Sequence, residues 1–221
     1  MDTVRITYFS DLLCVWAYIA QLRLDAVTAA FGDKVEIEPR FCSVFGDAPG
    51  KIVAKWGGYD RFNAHLRHAT EAFAEVRLSP QIWLATQPAS STSPHLFLKG
   101  AQLAEAAGAW RSGGADAVTR AMRQAFFEQG RDIARRDVQR AVALEQHADP
   151  SAVDALIDSG LAFAALAADY QAAEALRIQG SPSFVLNEGR QTLYGNVGYR
   201  IIEANIQELL RAPNPDNASW C

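Results

Sequence analysis

Segments with a strand pattern lie only near the two ends of this 221-residue chain, and a long helical stretch separates them. Residues 3–9, "TVRITYF", and 34–45, "KVEIEPRFCSVF", are rich in β-branched and aromatic residues and predict two strands. Apolar residues recur at helical spacing from Val15 to Phe31, and Gly32 is a typical C-cap. This order predicts a βαβ unit with parallel strands and a right-handed crossover. Because the second strand contains Pro39, we expect it at a sheet edge or with an irregular course.

The middle of the chain is predicted to be mainly helical, apart from an irregular Pro-, Ser- and Thr-rich connector at residues 79–93. Apolar periodicity, N-cap residues and glycine stops mark six helices. They cover residues 57–76, 93–108, 115–130, 134–148, 150–160 and 161–180.

A strand pattern returns late in the chain. Residues 181–195 predict two short strands around a turn at 187–190, and residues 199–211 predict a closing amphipathic helix. The order β-α-β, helices, β-β-α predicts an α/β protein with a thioredoxin fold and a large all-helical insertion. We therefore predict a discontinuous thioredoxin-like domain at residues 1–56 and 177–212, a helical subdomain at 57–176, and a flexible tail at 213–221.

Composition indicates an ordinary globular protein, since 49 % of the residues are apolar and 21 % are charged. The formal net charge of −4 lacks the basic character of nucleic-acid-binding proteins, so no nucleic-acid partner is expected. No apolar run reaches the length of about 18 residues that a membrane span needs, and the N-terminus lacks a signal-peptide pattern. We expect no membrane partner and a cytoplasmic location, and we leave a homodimer open.

Cysteine and histidine spacing does not indicate a metal site. The three cysteines are odd in number and match no zinc pattern, and a chain of this length does not need disulfides. His65 and His68 share one face of a predicted helix and would bind a metal only with a third ligand. A solvated helix face is the simpler interpretation, so no metal is expected.

The stretch "DLLCVWAY" at residues 11–18 lies between the first strand and the first helix. It resembles the Asp-x-x-Cys-Pro-Trp-Cys-Tyr active-site turn of the DsbA-like branch of the thioredoxin superfamily. FrnE-like proteins, 2-hydroxychromene-2-carboxylate isomerases and kappa-class glutathione transferases belong to the same branch. "GSPSFVLN" at 180–187 is similar to the branch's Gly-Val-Pro-Thr-Phe-Val segment with its cis proline, and "LYGNVGYRIIEANIQELL" at 193–210 to its last strand and helix. The resemblance implies a thioredoxin fold and thiol chemistry.

Two substitutions separate this chain from that motif. Val15 stands where the family has proline, and Ala17 stands where it has the second cysteine. Without that second thiol, Cys14 has no partner three residues later for an internal disulfide that could pass to a client. The isomerases and kappa-class transferases commonly have serine at the first position, so Cys14 departs from their pattern as well.

Cys14 is the candidate catalytic residue. Its predicted place is the N-terminus of the first helix, where unpaired backbone N–H groups and the helix dipole favour negative charge. Such sites lower a thiol pKa from about 8.5, so we expect rapid alkylation near neutral pH. The alternative is a buried structural cysteine in a site that has lost its activity. Asp11 either tunes Cys14 or caps the turn, and the sequence leaves both roles open.

Four residues are candidates for substrate binding. Trp16 would present a flat apolar surface to a substrate. The resemblance implies that the Ser181–Pro182 bond is cis, which would expose the backbone of Ser181 for pairing with a peptide or glutathione. A trans proline at the start of a strand is the alternative. His95 resembles the start of the family helix that faces the active site, although a surface histidine at a helix terminus has the same pattern.

Cys42 and Cys221 are candidate resolving cysteines. A parallel βαβ unit brings the end of the second strand to the side of Cys14, so Cys42 would be placed near it; a small buried hydrophobe is the simpler interpretation. Cys221 would have to fold back from the tail, and an incidental terminal thiol is the alternative.

Three functions are consistent with these residues. The first is a DsbA-like thiol–disulfide oxidoreductase or isomerase that uses one thiol and requires no cofactor, with glutathione as the co-substrate that resolves a mixed disulfide. Its partners would be protein or small-molecule thiols and disulfides. The second is a glutathione-dependent isomerase or transferase acting on small electrophiles. The third is a non-catalytic adaptor with a thioredoxin fold.

Overall fold

The computed structural model describes residues 3–211, which form one four-stranded sheet and nine helices. The strands are β1 (Val4–Ser10), β2 (Val35–Phe41), β3 (Ser183–Leu186) and β4 (Gln191–Tyr194). The helices are α1 (Val15–Phe31), α2 (Ala48–Trp56), α3 (Tyr59–Thr70), α4 (Thr92–Ala106), α5 (Gly114–Phe127), α6 (Arg136–Glu145), α7 (Pro150–Asp158), α8 (Leu161–Ala175) and α9 (Tyr199–Leu210). The predicted tail at 213–221 lies outside the described residues.

The strand order of the sheet is β2-β1-β3-β4. β1 and β2 are parallel, and β3 is antiparallel to both β1 and β4. The predicted parallel βαβ unit is therefore confirmed, as is the edge position of Pro39, because β2 has only one neighbouring strand. With α9 closing the chain after β4, the predicted thioredoxin fold with a large helical insertion is confirmed as well.

The parallel register brings the carboxyl ends of β1 and β2 together. Ser10 is the partner of Phe41 in the last pair of this ladder, and the N–H of Cys42 donates to the carbonyl of Ser10 at 3.1 Å. The loops that carry Cys14 and Cys42 therefore begin side by side.

Three helices differ from the sequence prediction. α2 has no counterpart among the predicted helices, because the residues after the strand segment 34–45 have no assignment there; its cap is Asp47, which accepts the N–H of Gly50 at 3.0 Å. The helix predicted at 57–76 ends at Thr70, as α3. The helix predicted at 161–180 ends before Arg177, whose φ of 52° lies in the left-handed region. The first and the last of these differences change which side chains surround Cys14.

Three apolar clusters organise the protein. α1 and α9 pack on one face of the sheet, and α8 packs on the other. The largest cluster fills the helical insertion around Trp83 and also contains Leu12, Leu13 and Cys14. Burying a side chain such as Leu12 contributes about 1.5–3 kcal/mol, so this packing holds the cysteine loop where the sheet meets the insertion. Since one core spans both predicted units, the domain boundaries stay a prediction.

Within residues 3–211, no single helix has the length and apolar character needed to cross a membrane. α7 and α8 taken together meet those criteria of length and composition, but they are bent by 78° at their junction.

Candidate active site

Cys14 occupies the predicted position at the start of α1. It is the N-cap residue, with φ −86° and ψ 116°, and its N–H donates to the carbonyl of Asp11 at 3.1 Å. The carbonyl of Cys14 accepts the N–H groups of Ala17 and Tyr18, both at 3.1 Å. This turn holds the thiol at the mouth of a cleft, although only 6 % of the residue is exposed.

The loop before β3 faces this thiol. The Ser181–Pro182 peptide bond is cis, as the resemblance implied. The Sγ of Cys14 donates to the backbone carbonyl of Ser181 at 3.2 Å, and the Ser181 hydroxyl accepts the N–H of Asp11 at 2.9 Å. Two segments 167 residues apart in the chain therefore meet at the candidate nucleophile.

Burial raises the pKa of Cys14 above its ordinary value. The Ser181 side chain and the backbone N–H groups of Ala17 and Trp16 oppose this rise, while the negative charge of Asp11 adds to it. The sequence prediction of a lowered thiol pKa is therefore wrong. The helix N-terminus does donate to the sulfur, but the loss of solvation has the larger effect.

Asp11 both caps the turn and acts on the charge of Cys14. One carboxylate oxygen accepts the N–H of Leu13 at 2.9 Å. The other accepts the N–H groups of Val44 and Phe45 at 2.9 and 2.8 Å, and the hydroxyl of Ser91 at 2.7 Å. Asp11 thereby ties the cysteine turn to the loop after β2 and to the start of α4, with every contact buried or nearly so.

His95 lies behind the turn and does not line the cleft, which corrects the prediction of a substrate-binding role. Its residue exposure is 0 %, and its ring stacks on Phe41 with centroids 4.7 Å apart. Nε2 accepts the N–H of Leu12 at 3.1 Å, so Nδ1 carries the proton that faces the hydroxyl of Tyr170 at 3.0 Å. Burial lowers the pKa of His95 to about 4, which leaves the ring neutral near pH 7.

An active-site cleft of about 740 Å³ opens beside Cys14. Trp16 lines it, half-buried, with its ring edge-on to Phe73. Cys42 also lines it but is 5 % exposed, and burial raises its thiol pKa. The apolar wall of the cleft consists of Val44, Phe45, Trp56, Phe62 and Leu66.

The rim of this cleft is cationic. Lys51 and Lys55 extend from α2, and Arg177 comes from the turn after α8; Glu174 is the one carboxylate in the described lining. None of the three cations has a carboxylate partner within residues 3–211. Sequence analysis missed them because α2 was unassigned and Arg177 was placed inside a helix. The four-residue spacing of Lys51 and Lys55, which places both on one face of a helix, was the signal in the sequence that could have identified the two lysines.

The remaining candidates have different placements. His65 lines the cleft and packs on Trp56, with ring centroids 5.9 Å apart. His68 is exposed beside Glu71, with its Nδ1 3.3 Å from a carboxylate oxygen. In the described part of the chain, no three His, Cys, Asp or Glu side chains converge as metal ligands would. Cys221 lies outside the described residues.

Comparison with known proteins gives a family and a set of similar folds. Residues 5–207 match the DSBA-like thioredoxin domain. A search of curated protein sequences finds no match. Among solved structures, a probable DsbA oxidoreductase from Streptomyces coelicolor has a TM-score of 0.72 and 20 % identity, over 96 % of this chain and 92 % of its own.

Two other solved structures share this fold. The cytosolic disulfide reductase DsbM from Pseudomonas aeruginosa, solved with GSH, has a TM-score of 0.67 and 19 % identity, over 92 % of this chain and 99 % of its own. A 2-hydroxychromene-2-carboxylate isomerase has a TM-score of 0.65 and 17 % identity, over 93 % of this chain and 95 % of its own. At such identities these structures show the shared fold. Because the family match spans nearly all of the described residues, the chain belongs to the DSBA-like thioredoxin domain family.

Proposed function

We propose that this protein is a thiol–disulfide oxidoreductase that acts through the single thiol of Cys14, with glutathione as the resolving co-substrate. The observation that supports it best is the contact between the Cys14 sulfur and the Ser181 carbonyl, 3.2 Å apart at the edge of the cleft. A disulfide whose backbone pairs with Ser181 would bring its sulfur directly to Cys14.

The reaction balances with one protein thiol. The Cys14 thiolate attacks a glutathione mixed disulfide, forms a Cys14–glutathione disulfide, and releases the client thiol with the proton that Cys14 gave up. A second glutathione thiolate then attacks the glutathione sulfur of that disulfide. This step releases oxidised glutathione, and the proton of the second glutathione restores the Cys14 thiol. In total, the mixed disulfide and one glutathione give the client thiol and oxidised glutathione.

Substrate binding would also activate the thiol. The S–H of Cys14 donates to the Ser181 carbonyl, and burial favours the neutral form of the thiol. A substrate N–H that takes over this carbonyl breaks that contact. The sulfur then keeps the Ser181 side chain and the N–H groups of Ala17 and Trp16, which favour the thiolate.

The charge of the cleft rim supports glutathione as the co-substrate. Glutathione carries two carboxylates, and Lys51, Lys55 and Arg177 are three cations without carboxylate partners in the described residues. DsbM, which is similar in fold, was solved with GSH. A reducing, glutathione-containing compartment such as the cytoplasm suits this chemistry, and the cytoplasmic location and a homodimer stay predictions.

The test is glutathione-dependent reduction of bis(2-hydroxyethyl) disulfide, coupled to glutathione reductase. We expect turnover by the wild type, loss to background in Cys14→Ser, and near wild-type turnover in Cys42→Ser, since Cys42 is a buried, protonated thiol. Turnover that survives in Cys14→Ser, or that disappears in Cys42→Ser, contradicts the proposed mechanism.

A second candidate function is glutathione transfer or isomerisation on small electrophiles. The aromatic wall of Phe45, Trp56 and Phe62 favours it, since it offers an apolar surface next to the sulfur site. Conjugation of 1-chloro-2,4-dinitrobenzene without disulfide reduction would favour this function over the first. If the protein has neither activity, the buried thiol fits the non-catalytic adaptor.

A further inference from the structure

A second cleft of about 620 Å³ lies away from Cys14, between the exposed edge of β2 and helices α1, α4 and α5. None of its lining residues also lines the active-site cleft. The proposed reaction uses no residue of this second cleft, so any ligand there would serve a separate purpose.

Arg123, on α5, is a buried cation without a counter-charge in this second cleft. The residue is 2 % exposed. Its guanidinium donates to the amide oxygen of Gln21 at 2.6 Å and to the hydroxyl of Ser10 at 3.0 Å, and its Nε has no hydrogen-bond partner. Within residues 3–211 it has no carboxylate partner. Buried charges are ordinarily paired, so this one is unexplained by the protein alone.

The other charged side chains that line the second cleft are already satisfied. Lys99 pairs with Asp169 at 3.0 Å, and Arg120 pairs with Asp25 and Asp116, both at 2.6 Å. Two further lining carboxylates are also occupied: Glu38 pairs with Arg40, and Glu105 accepts the N–H groups of Gly113 and Ala115. Arg123 is thus the cation among the described lining residues that has no carboxylate partner.

An anion that pairs with Arg123 would also contact the other residues that line the second cleft, and these residues indicate its chemical class. One side is apolar, and the amide of Gln21 at the guanidinium is only partly buried, so a ligand oxygen can replace it. A planar guanidinium matches the two oxygens of a carboxylate. The apolar lining residues are Tyr8, Leu24, Ile37, Pro39, Phe41, Ala106 and Ala115.

We propose that this second cleft binds an amphipathic monocarboxylate, whose carboxylate pairs with Arg123 and whose hydrocarbon body packs along the edge of β2. The ligand supplies the counter-charge that residues 3–211 do not provide, and it enters by displacing the side chain of Gln21. The volume suits a small organic acid, since ligand pockets are commonly about 300–1,000 Å³.

The test uses decanoate as the probe, with decanol as the uncharged control, in calorimetric titration and thermal unfolding of the full chain. We expect decanoate to bind and raise Tm, and decanol to bind much more weakly. Arg123→Met should weaken decanoate binding about tenfold or more, because a hydrogen-bonded charge pair is lost. Arg111→Gln, an exposed arginine outside the lining of the second cleft, is the control and should bind decanoate as the wild type does.

Ligand-free Arg123→Met should unfold at a Tm equal to or above that of the wild type, because the substitution removes an uncompensated buried charge. A purely structural arginine would instead make this variant less stable, so a clear fall in Tm overturns the proposal. The proposal is also overturned if the wild-type protein does not bind decanoate at millimolar concentration, and this measurement does not depend on any variant. Disulfide reduction by Arg123→Met is expected to match the wild type, which separates this site from the proposed activity.

Discussion

At the scale of single residues, Cys14 illustrates how local and tertiary effects compete. Its place at the start of α1 brings the N–H groups of Trp16 and Ala17 to the sulfur, which lowers the thiol pKa. Burial beneath the Ser181 loop works against this and prevails. The thiol of Cys14 is therefore neutral near pH 7, and the charge of Asp11 reinforces that state.

The alkylation rate of Cys14 should reveal this protonation state. Because a pKa raised by burial keeps the thiol neutral, we expect slow reaction with iodoacetamide at pH 7 and a rate that climbs only above the ordinary thiol value of about 8.5. Peptide mass spectrometry separates Cys14 from the other two cysteines. A plateau of rapid Cys14 labelling reached below pH 7 would show that the thiolate already exists in the protein without substrate.

His95 and Asp11 show how a residue can matter to a site without touching substrate. His95 holds the N–H of Leu12, and Asp11 holds that of Leu13, so the two residues before Cys14 have fixed backbone positions. In the sequence both side chains are candidates only, with a surface histidine and a simple turn cap as the alternatives. Their roles as buried supports depend on packing against α4 and Phe41, which no local pattern contains.

At the scale of elements, α2 decides the charge of the active-site cleft. It begins at the cap Asp47 and presents Lys51 and Lys55, one turn apart, to the same cleft that holds Cys14. The ammonium of Lys51 lies 5.1 Å from the centroid of the Phe45 ring, which keeps the cation at the rim.

Replacing both lysines should weaken the use of glutathione selectively. In the double variant Lys51→Gln, Lys55→Gln we expect the KM for glutathione to rise roughly three- to tenfold, because partly exposed ion pairs contribute modestly. The rate at saturating glutathione should change little. Steady-state kinetics measures both quantities, with Lys34→Gln, an exposed lysine outside the cleft lining, as the control. An unchanged KM in the double variant would contradict the assignment of these cations to glutathione.

At the scale of the whole molecule, a buried polar network joins the sheet to the helical insertion. His95 and Ser91 at the start of α4 bond to Leu12 and Asp11 in the cysteine turn. The His95 ring is neutral when folded, and burial lowers its pKa to about 4, whereas a histidine in the unfolded chain titrates near about 6.5. Between these values the unfolded state binds a proton that the folded state does not.

Stability should therefore fall as the pH drops from about 6.5 towards 4. Between pH 7 and pH 5 this one histidine should lower the free energy of unfolding by about 2 kcal/mol. Urea denaturation at the two pH values measures the change. In His95→Gln the pH dependence should become smaller by that amount, while the exposed His68→Gln should keep it. Equal pH dependence of stability in His95→Gln and the wild type would contradict the assignment of this effect to His95.

The sequence alone determined the order of the four strands and of eight of the nine helices in residues 3–211, the parallel βαβ unit and the start of α1 at Cys14, because periodicity and capping act within a few residues. It did not determine the protonation of Cys14, the burial of His95 or the isolated charge of Arg123. Desolvation depends on every atom nearby, and here those atoms come from residues as far apart as 83 and 167 positions. Only the packed tertiary structure brings them together, so only that structure decided the chemistry of both clefts.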